Sequence, residues 1–122
     1  MADRLKTFRF DGRTAGKHLL ITGGVHGDEF EPIAAIRRLI DELSNNESSL
    51  LQLQGRVTLV PIVNESAFLR GHRCGDDGLD LARTCPGDEQ GSVTEQTAFA
   101  VSELIQECDY YIDLHTGGTQ IK

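Results

Sequence analysis

Cysteine, cationic side chains and long apolar runs are all scarce in these 122 residues. The three cysteines, Cys74, Cys85 and Cys108, are an odd number without paired spacing, which argues against a disulfide framework and for reduced thiols. Cys85 is expected to be a small core residue, because no separate His-Asp pair is arranged around it as a nucleophile would need. Lysine and arginine number 12 against 19 acids, giving a net charge of -7. Such a chain is not expected to bind nucleic acid, whose affinity rests on cations neutralising phosphates. No stretch approaches the length of a membrane span, and Met1-Ala2-Asp3-Arg4-Leu5-Lys6 is not followed by the apolar segment of a leader. No membrane partner and a cytoplasmic location are therefore expected.

What is present is an ordinary globular composition, 39% hydrophobic and 25% charged, enough for one domain with a modest core. Leu5 to Phe10 alternates in polarity and suits an edge strand, followed by a turn over Asp11 to Gly16. Lys17 to Thr22 has the continuous apolar middle of a strand covered on both faces. Pro32, preceded by Glu31, is expected to open a helix whose stripe is Ile33, Ile36, Leu39, Ile40 and Leu43 and whose end lies near Ser44-Asn45-Asn46. A polar connector then runs from Asn45 to Gly55. Arg56 to Val63 is rich in β-branched residues, and Pro61 within it predicts an edge or bulged strand. From Asn64 to Gly91 the pattern is lost, as in a long functional loop. Ser92-Val93-Thr94-Glu95 has the spacing of a capping box, opening a helix through Ala98, Val101, Leu104, Ile105 and Cys108. A last strand covers Tyr110 to His115. Strands alternating with helices predict an α/β class with a mixed, largely parallel sheet.

The stretch Gly23-Gly24-Val25-His26-Gly27-Asp28-Glu29 follows the second strand and places an imidazole and a carboxylate three residues apart among glycines. With four histidines and nine glutamates, His-x-x-Glu arises by chance in about a quarter of such chains, so the motif alone is weak. Its setting after a buried strand, and a second strand ending in Asp113-Leu114-His115, strengthen it. A catalytic zinc takes three protein ligands and keeps a fourth position open. In parallel sheets ligands gather beyond the carboxyl ends of strands. His26, Glu29 and His115 are therefore expected to converge on one metal ion. Two imidazoles and a carboxylate prefer zinc yet also suit other divalent ions. Asp113, two residues before His115, either orients a ligand from behind or caps a loop.

The segments GGVHGDEFEP, VNESAFLRGHR, GLDLARTCPG, GSVTEQTA and YIDLHTGG together resemble the aspartoacylase and succinylglutamate desuccinylase family, zinc-dependent amidohydrolases related to the metallocarboxypeptidases. The resemblance runs from Leu19 to Gly118. It implies one zinc per chain on His26, Glu29 and His115, and a carboxypeptidase-like fold of which residues 1–122 form the N-terminal part. By the same resemblance Arg73 would polarise the scissile carbonyl, with Arg70 a less favoured substitute, and Arg83 would clamp the carboxylate of an N-acyl amino acid. Asn64 falls in the substrate-binding set. The plain alternative for all three arginines is solvated loop charge.

Three departures stand out: Ala82 where the family has an amide-bearing Asn, Glu65 where it has Pro, and Cys85 where it has Phe. The family's catalytic glutamate lies beyond the stretch matched here, and no carboxylate follows His115. The chain alone is therefore expected to turn over little or no substrate, and an uncovered sheet edge would favour self-association. Other readings remain open: a non-catalytic metal- or carboxylate-binding module, a carboxypeptidase-like metallopeptidase, or a structural domain with incidental histidines.

Overall fold

The computed structural model describes residues 5–119. The charged start of the chain, Met1 to Arg4, and residues 120–122 lie outside the described residues. Four strands, β1 (Phe8–Asp11), β2 (Thr14–Thr22), β3 (Gln54–Val60) and β4 (Tyr110–Asp113), form one sheet in the order β1-β3-β2-β4. β1 runs antiparallel to β3, whereas β2 is parallel to both β3 and β4. Parallel neighbours need crossovers, and helices supply them: α1 (Phe30–Asn45) links β2 to β3, and α4 (Val93–Glu107) precedes β4. The class is the mixed α/β sheet expected.

Alternating side chains of β2 and β3 feed two separate cores. Leu20 and Val60 pack with Val25, Val63, Leu81 and, from α4, Ala98 and Val101. On the opposite face Val57 and Leu59 pack with Ile36 of α1, and Ile21, Leu39, Ile40 and Leu43 lie against them. β2 is thus covered on both faces, as its apolar run predicts.

Several boundaries differ from expectation. β2 begins at Thr14, so the turn shrinks to Gly12-Arg13, and the early pairing of Thr14 with Gln54 is separated from the main register by an irregularity. α1 begins at Phe30, two residues before Pro32; proline there still removes no intrahelical donor, because the first-turn N–H groups have no partner in the helix. Part of the polar connector forms a short helix, α2 (Glu47–Gln52), whose first turn is capped by the Asn46 side chain accepting from Ser48 N and Ser49 N. β3 is an inner strand, contrary to the edge or bulged position inferred from Pro61. It stops at Val60, so the missing donor falls just outside the ladder. Backbone bonding resumes beyond it, with Val63 N donating to Gly23 O at 2.9 Å and Asn64 N to Gly24 O at 2.9 Å. β4 ends at Asp113, two residues short of His115. Its outer edge has no partner among the described residues, and Tyr110 and Ile112 beside it are 60% and 45% exposed.

The segment 64–91 contains α3 (Glu65–Arg70) and a 3-10 turn (Leu81–Arg83). Asp77 anchors the rest. Its carboxylate accepts from Ser92 Oγ (2.5 Å), Thr94 N (2.9 Å) and Thr94 Oγ1 (2.7 Å), joining the capping box in which Ser92 N donates to Glu95 Oε1 at 3.1 Å. Burial pushes the Asp77 carboxyl up, but the hydrogen bonds from Ser92, Thr94 and Leu79 outweigh it and hold the group at about 2. Because the folded value lies below the ordinary 3.8, this contribution is present above about pH 4 and is lost as pH falls through about 2. Asp77→Ala is expected to destabilise the fold by about 1 kcal/mol at neutral pH, the usual cost of a lost helix cap. Urea unfolding should show that difference closing in acid; an unchanged midpoint at pH 7 would contradict the anchoring role.

Candidate metal centre

His26, Glu29 and His115 do converge. The loop after β2 carries the first two, both buried, at 5% and 4% exposure, while the chain leaving β4 brings in His115. Gly27 makes the close approach possible: a Cβ there would lie 2.1 Å from the Ala67 carbonyl carbon, so any side chain would push α3 off the loop. The Glu29 carboxylate is the centre of the cluster. Its Oε2 is 2.7 Å from His26 Nδ1, and its Oε1 is 3.1 Å from His115 Nδ1 and 2.9 Å from the donating Thr116 N. One donor atom from each of the three residues falls within 4.8 Å of the others, and the imidazole centroids are 5.1 Å apart.

Each imidazole also has a carboxylate at its far nitrogen. His26 Nε2 lies 3.0 Å from Asp80 Oδ1, and His115 Nε2 lies 2.6 Å from Asp113 Oδ2. The two Nδ1 contacts with Glu29 are of hydrogen-bond length, so a ring proton can fill each of them. With the ring protons on the two Nε2 atoms instead, and donated to the aspartates, both Nδ1 lone pairs would meet the Glu29 carboxylate, a repulsion that a cation among them would relieve. The donor set, two imidazoles and one carboxylate, is that of an open zinc site, so these residues fit the ion. Burial disfavours charge on His115, but the bonds to Asp113 and Glu29 outweigh it and raise its pKa above the ordinary 6.5.

Asp113 is itself fixed by Thr22 Oγ1, which donates to Asp113 Oδ1 at 2.7 Å. The same hydroxyl lies 2.9 Å from the Tyr111 phenol, which burial pushes up to about 12.

Over residues 15–122 the sequence matches the succinylglutamate desuccinylase/aspartoacylase catalytic domain. The chain belongs to this family. Among relatives, N-alpha-acetyl-L-2,4-diaminobutyric acid deacetylase of Halomonas elongata is 42% identical over 108 residues, covering 87% of this chain and 30% of the deacetylase. Among solved structures, succinylglutamate desuccinylase/aspartoacylase from Rhodobacter sphaeroides superposes with a TM-score of 0.82 at 34% identity, over 93% of this chain and 34% of that one. A metallo-carboxypeptidase from Pseudomonas aeruginosa, at 20% identity, shares the fold, with a TM-score of 0.74 over 91% of this chain and 31% of its own. The chain thus spans about a third of the length of these relatives.

Against this family frame the other predicted site residues divide. Arg73 lies at the cluster, its Nε donating to Asp80 Oδ2 at 3.2 Å and its Nη1 4.0 Å from Glu29 Oε2. Arg83 is near but mostly in solvent, its side chain 84% exposed and its Nε 3.8 Å from Asp80 Oδ2. The hydrogen bonds of Asn64 and Arg70 go to partners outside the cluster. Asn64 is 1% exposed and caps α3, its Oδ1 accepting from Ala67 N at 3.2 Å, while its buried Nδ2 has no hydrogen-bond partner among the described residues. Arg70 turns to the loop carbonyls of Cys74 and Gly75, which it staples. Cys85, expected in the core, is exposed, although the neighbouring backbone packs on α4, with Asp88 N donating to Glu95 O at 3.0 Å; all three cysteines are free thiols.

Sequence reasoning missed Asp80 as part of the cluster. It is bonded to His26, to Ala82 N (3.0 Å) and to Arg73 at once. Burial raises its pKa, and the His26 bond, the Ala82 amide and Arg73 outweigh that and lower it. Fifty-four positions separate it from His26, so no local spacing could reveal the pairing. Asp80→Asn is expected to weaken zinc affinity about tenfold to a hundredfold in competition titrations with a chelator, with the fold retained. Zinc affinity in the unaltered chain should also fall as pH drops through the raised His115 value, because a protonated imidazole cannot ligate. Equal affinity at pH 8 and pH 5.5 would contradict the site.

Proposed function

We propose that this chain carries the zinc-binding and carboxylate-recognising part of a deacylase that cleaves the amide bond of N-acyl amino acids. The observation that carries the reading is the buried Glu29 carboxylate with one imidazole Nδ1 on each of its oxygens. The names of the relatives support the substrate class: one is a deacetylase of N-alpha-acetyl-L-2,4-diaminobutyric acid, another a succinylglutamate desuccinylase.

His26, Glu29 and His115 would hold the zinc, which when bound would supply Lewis acidity toward a carbonyl and water. Asp80 and Asp113 keep the imidazoles in the ligating tautomer from behind. Arg73, held beside the cluster by Asp80, places a guanidinium where negative charge develops on the carbonyl oxygen. Arg83, whose only ion pair among the described residues is the 3.8 Å contact with Asp80, can take a substrate carboxylate in two parallel hydrogen bonds. Ala82 beside it offers no side-chain donor.

The carboxylates bonded to the two imidazoles, Glu29, Asp80 and Asp113, are all engaged. None is free to take a proton from water, which general-base hydrolysis needs. The chain alone is therefore expected to bind zinc without appreciable turnover. A non-catalytic metal- and carboxylate-binding module is the second reading, favoured by Ala82.

Purified chain should retain one zinc at neutral pH by elemental analysis, and His26→Ala should lose it. No retained zinc would sink both readings. Hydrolysis of N-acetyl and N-succinyl amino acids, assayed on the chain and on its full reading frame, separates them: turnover only in the latter supports the deacylase, and buffer-level rates in both favour the module.

A further inference from the structure

Either ring nitrogen of His115 can carry the proton of a neutral imidazole, and only one choice leaves Nδ1 free to ligate. A row of hydrogen bonds behind the ring bears on that choice. The Asp113 carboxylate is held at both oxygens: Oδ2 lies 2.6 Å from His115 Nε2, and Oδ1 accepts from Thr22 Oγ1 at 2.7 Å. A hydroxyl has a single proton to give. With that proton on Asp113, the 2.9 Å contact between Thr22 Oγ1 and the Tyr111 hydroxyl is one in which Tyr111 donates. Every bond from Tyr111 through Thr22 to Asp113 therefore has a fixed direction, and the row ends on His115 Nε2 as the donor to Asp113.

The sheet builds this row. Thr22, the last residue of β2, lies opposite Asp113 in the parallel ladder, and Leu20 lies opposite Tyr111, so the four side chains share one face. On that face Leu20 belongs to the core packed with α4, whereas Thr22, equally buried, brings a hydroxyl into it. A buried hydroxyl costs free energy unless it is bonded, and here its bonds lead to a group standing behind a metal ligand.

We propose that Thr22 is a positioning residue for the metal centre: its hydroxyl, oriented by Tyr111, holds the Asp113 carboxylate so that the His115 ring proton stays on Nε2 and Nδ1 is presented to the ion. This builds on the metal reading of His26, Glu29 and His115. Without the hydroxyl, the Asp113 side chain, already 25% exposed, turns toward water. The ring proton then settles on Nδ1 against Glu29, where it blocks the ligating lone pair. Groups directly behind a ligand are worth about tenfold to a hundredfold in metal affinity; Thr22 stands one bond further back, and about a fivefold effect is expected.

The test is zinc affinity of the purified chain, measured by competition with a chelator. Thr22→Val keeps the β-branched shape, drops the hydroxyl and should bind zinc about fivefold more weakly, while Thr22→Ser should restore the affinity. Tyr111→Phe, at a partly exposed position that tolerates the change, should lose about twofold. In an Asp113→Ala background Thr22→Val should cause no further loss, because the hydroxyl acts through that carboxylate. Nitrogen NMR of the zinc-free chain at mildly alkaline pH gives a signature that altered packing alone does not move. The share of His115 rings protonated on Nε2 should fall in Thr22→Val and in Tyr111→Phe, and recover in Thr22→Ser. Unchanged affinity or an unchanged share in Thr22→Val and Tyr111→Phe, a loss that Thr22→Ser does not restore, or an equal loss in the Asp113→Ala background overturns the role of Thr22 alone. An unaltered chain that binds no zinc overturns the metal reading with it.

Discussion

A buried carboxylate whose nearest guanidinium, that of Arg73, stands as far off as 4.0 Å is an expensive object, and Glu29 is one. Taking such a charge out of water costs several kcal/mol unless the surroundings repay it. Here the repayment comes from two imidazole Nδ1 atoms, the Thr116 amide and the nearby Arg73, together with the N-terminal end of α1, whose cap position Glu29 itself occupies. Its side chain makes no cap bond to the helix and turns to the histidines instead. The local geometry gives up a helix cap to hold a ligand.

The sheet explains why the pieces meet. β2, β3 and β4 are parallel, so the segments leaving their carboxyl ends emerge on one side. From β2 come His26 and Glu29, from β3 the segment that leads through Asn64 to Arg73 and Asp80, and from β4 His115. β1 runs the other way and contributes nothing there. Its work is to pair with β3 and bring Phe10 against the α1-side core.

Holding the irregular segment 71–91 in place takes a set of polar ties in lieu of a core. Arg70 grips the carbonyls of Cys74 and Gly75, Asp77 grips the start of α4, and Asp80 grips His26, Ala82 and Arg73. Leu81 is the apolar pin among them, buried with Val101 and Ala98. Because the same aspartate both orients a ligand and holds Arg73, the loop and the metal centre are coupled.

The apolar run of β2, the stripe of α1 and the Ser92 to Glu95 box were legible in order and type, since each rests on a period or a spacing within one element. Pro61 misled on the place of β3, because the proline lies one residue past the last pairing rather than within it. The convergence of His26, Glu29 and His115 was legible because each follows the carboxyl end of a strand, and such ends gather on one side of a parallel sheet. What the order of residues could not disclose was which groups stand behind the ligands and which arginine faces them. Asp80, Asn64 and Arg70 all lie on one stretch of similar polarity, and only the path of α3 and the 3-10 turn sends the first to His26, the second into the interior and the third to a loop carbonyl. Local sequence determines element type through periodic burial; the direction in which a loop side chain points is decided by contacts dozens of residues away, and these exist only once the chain has folded.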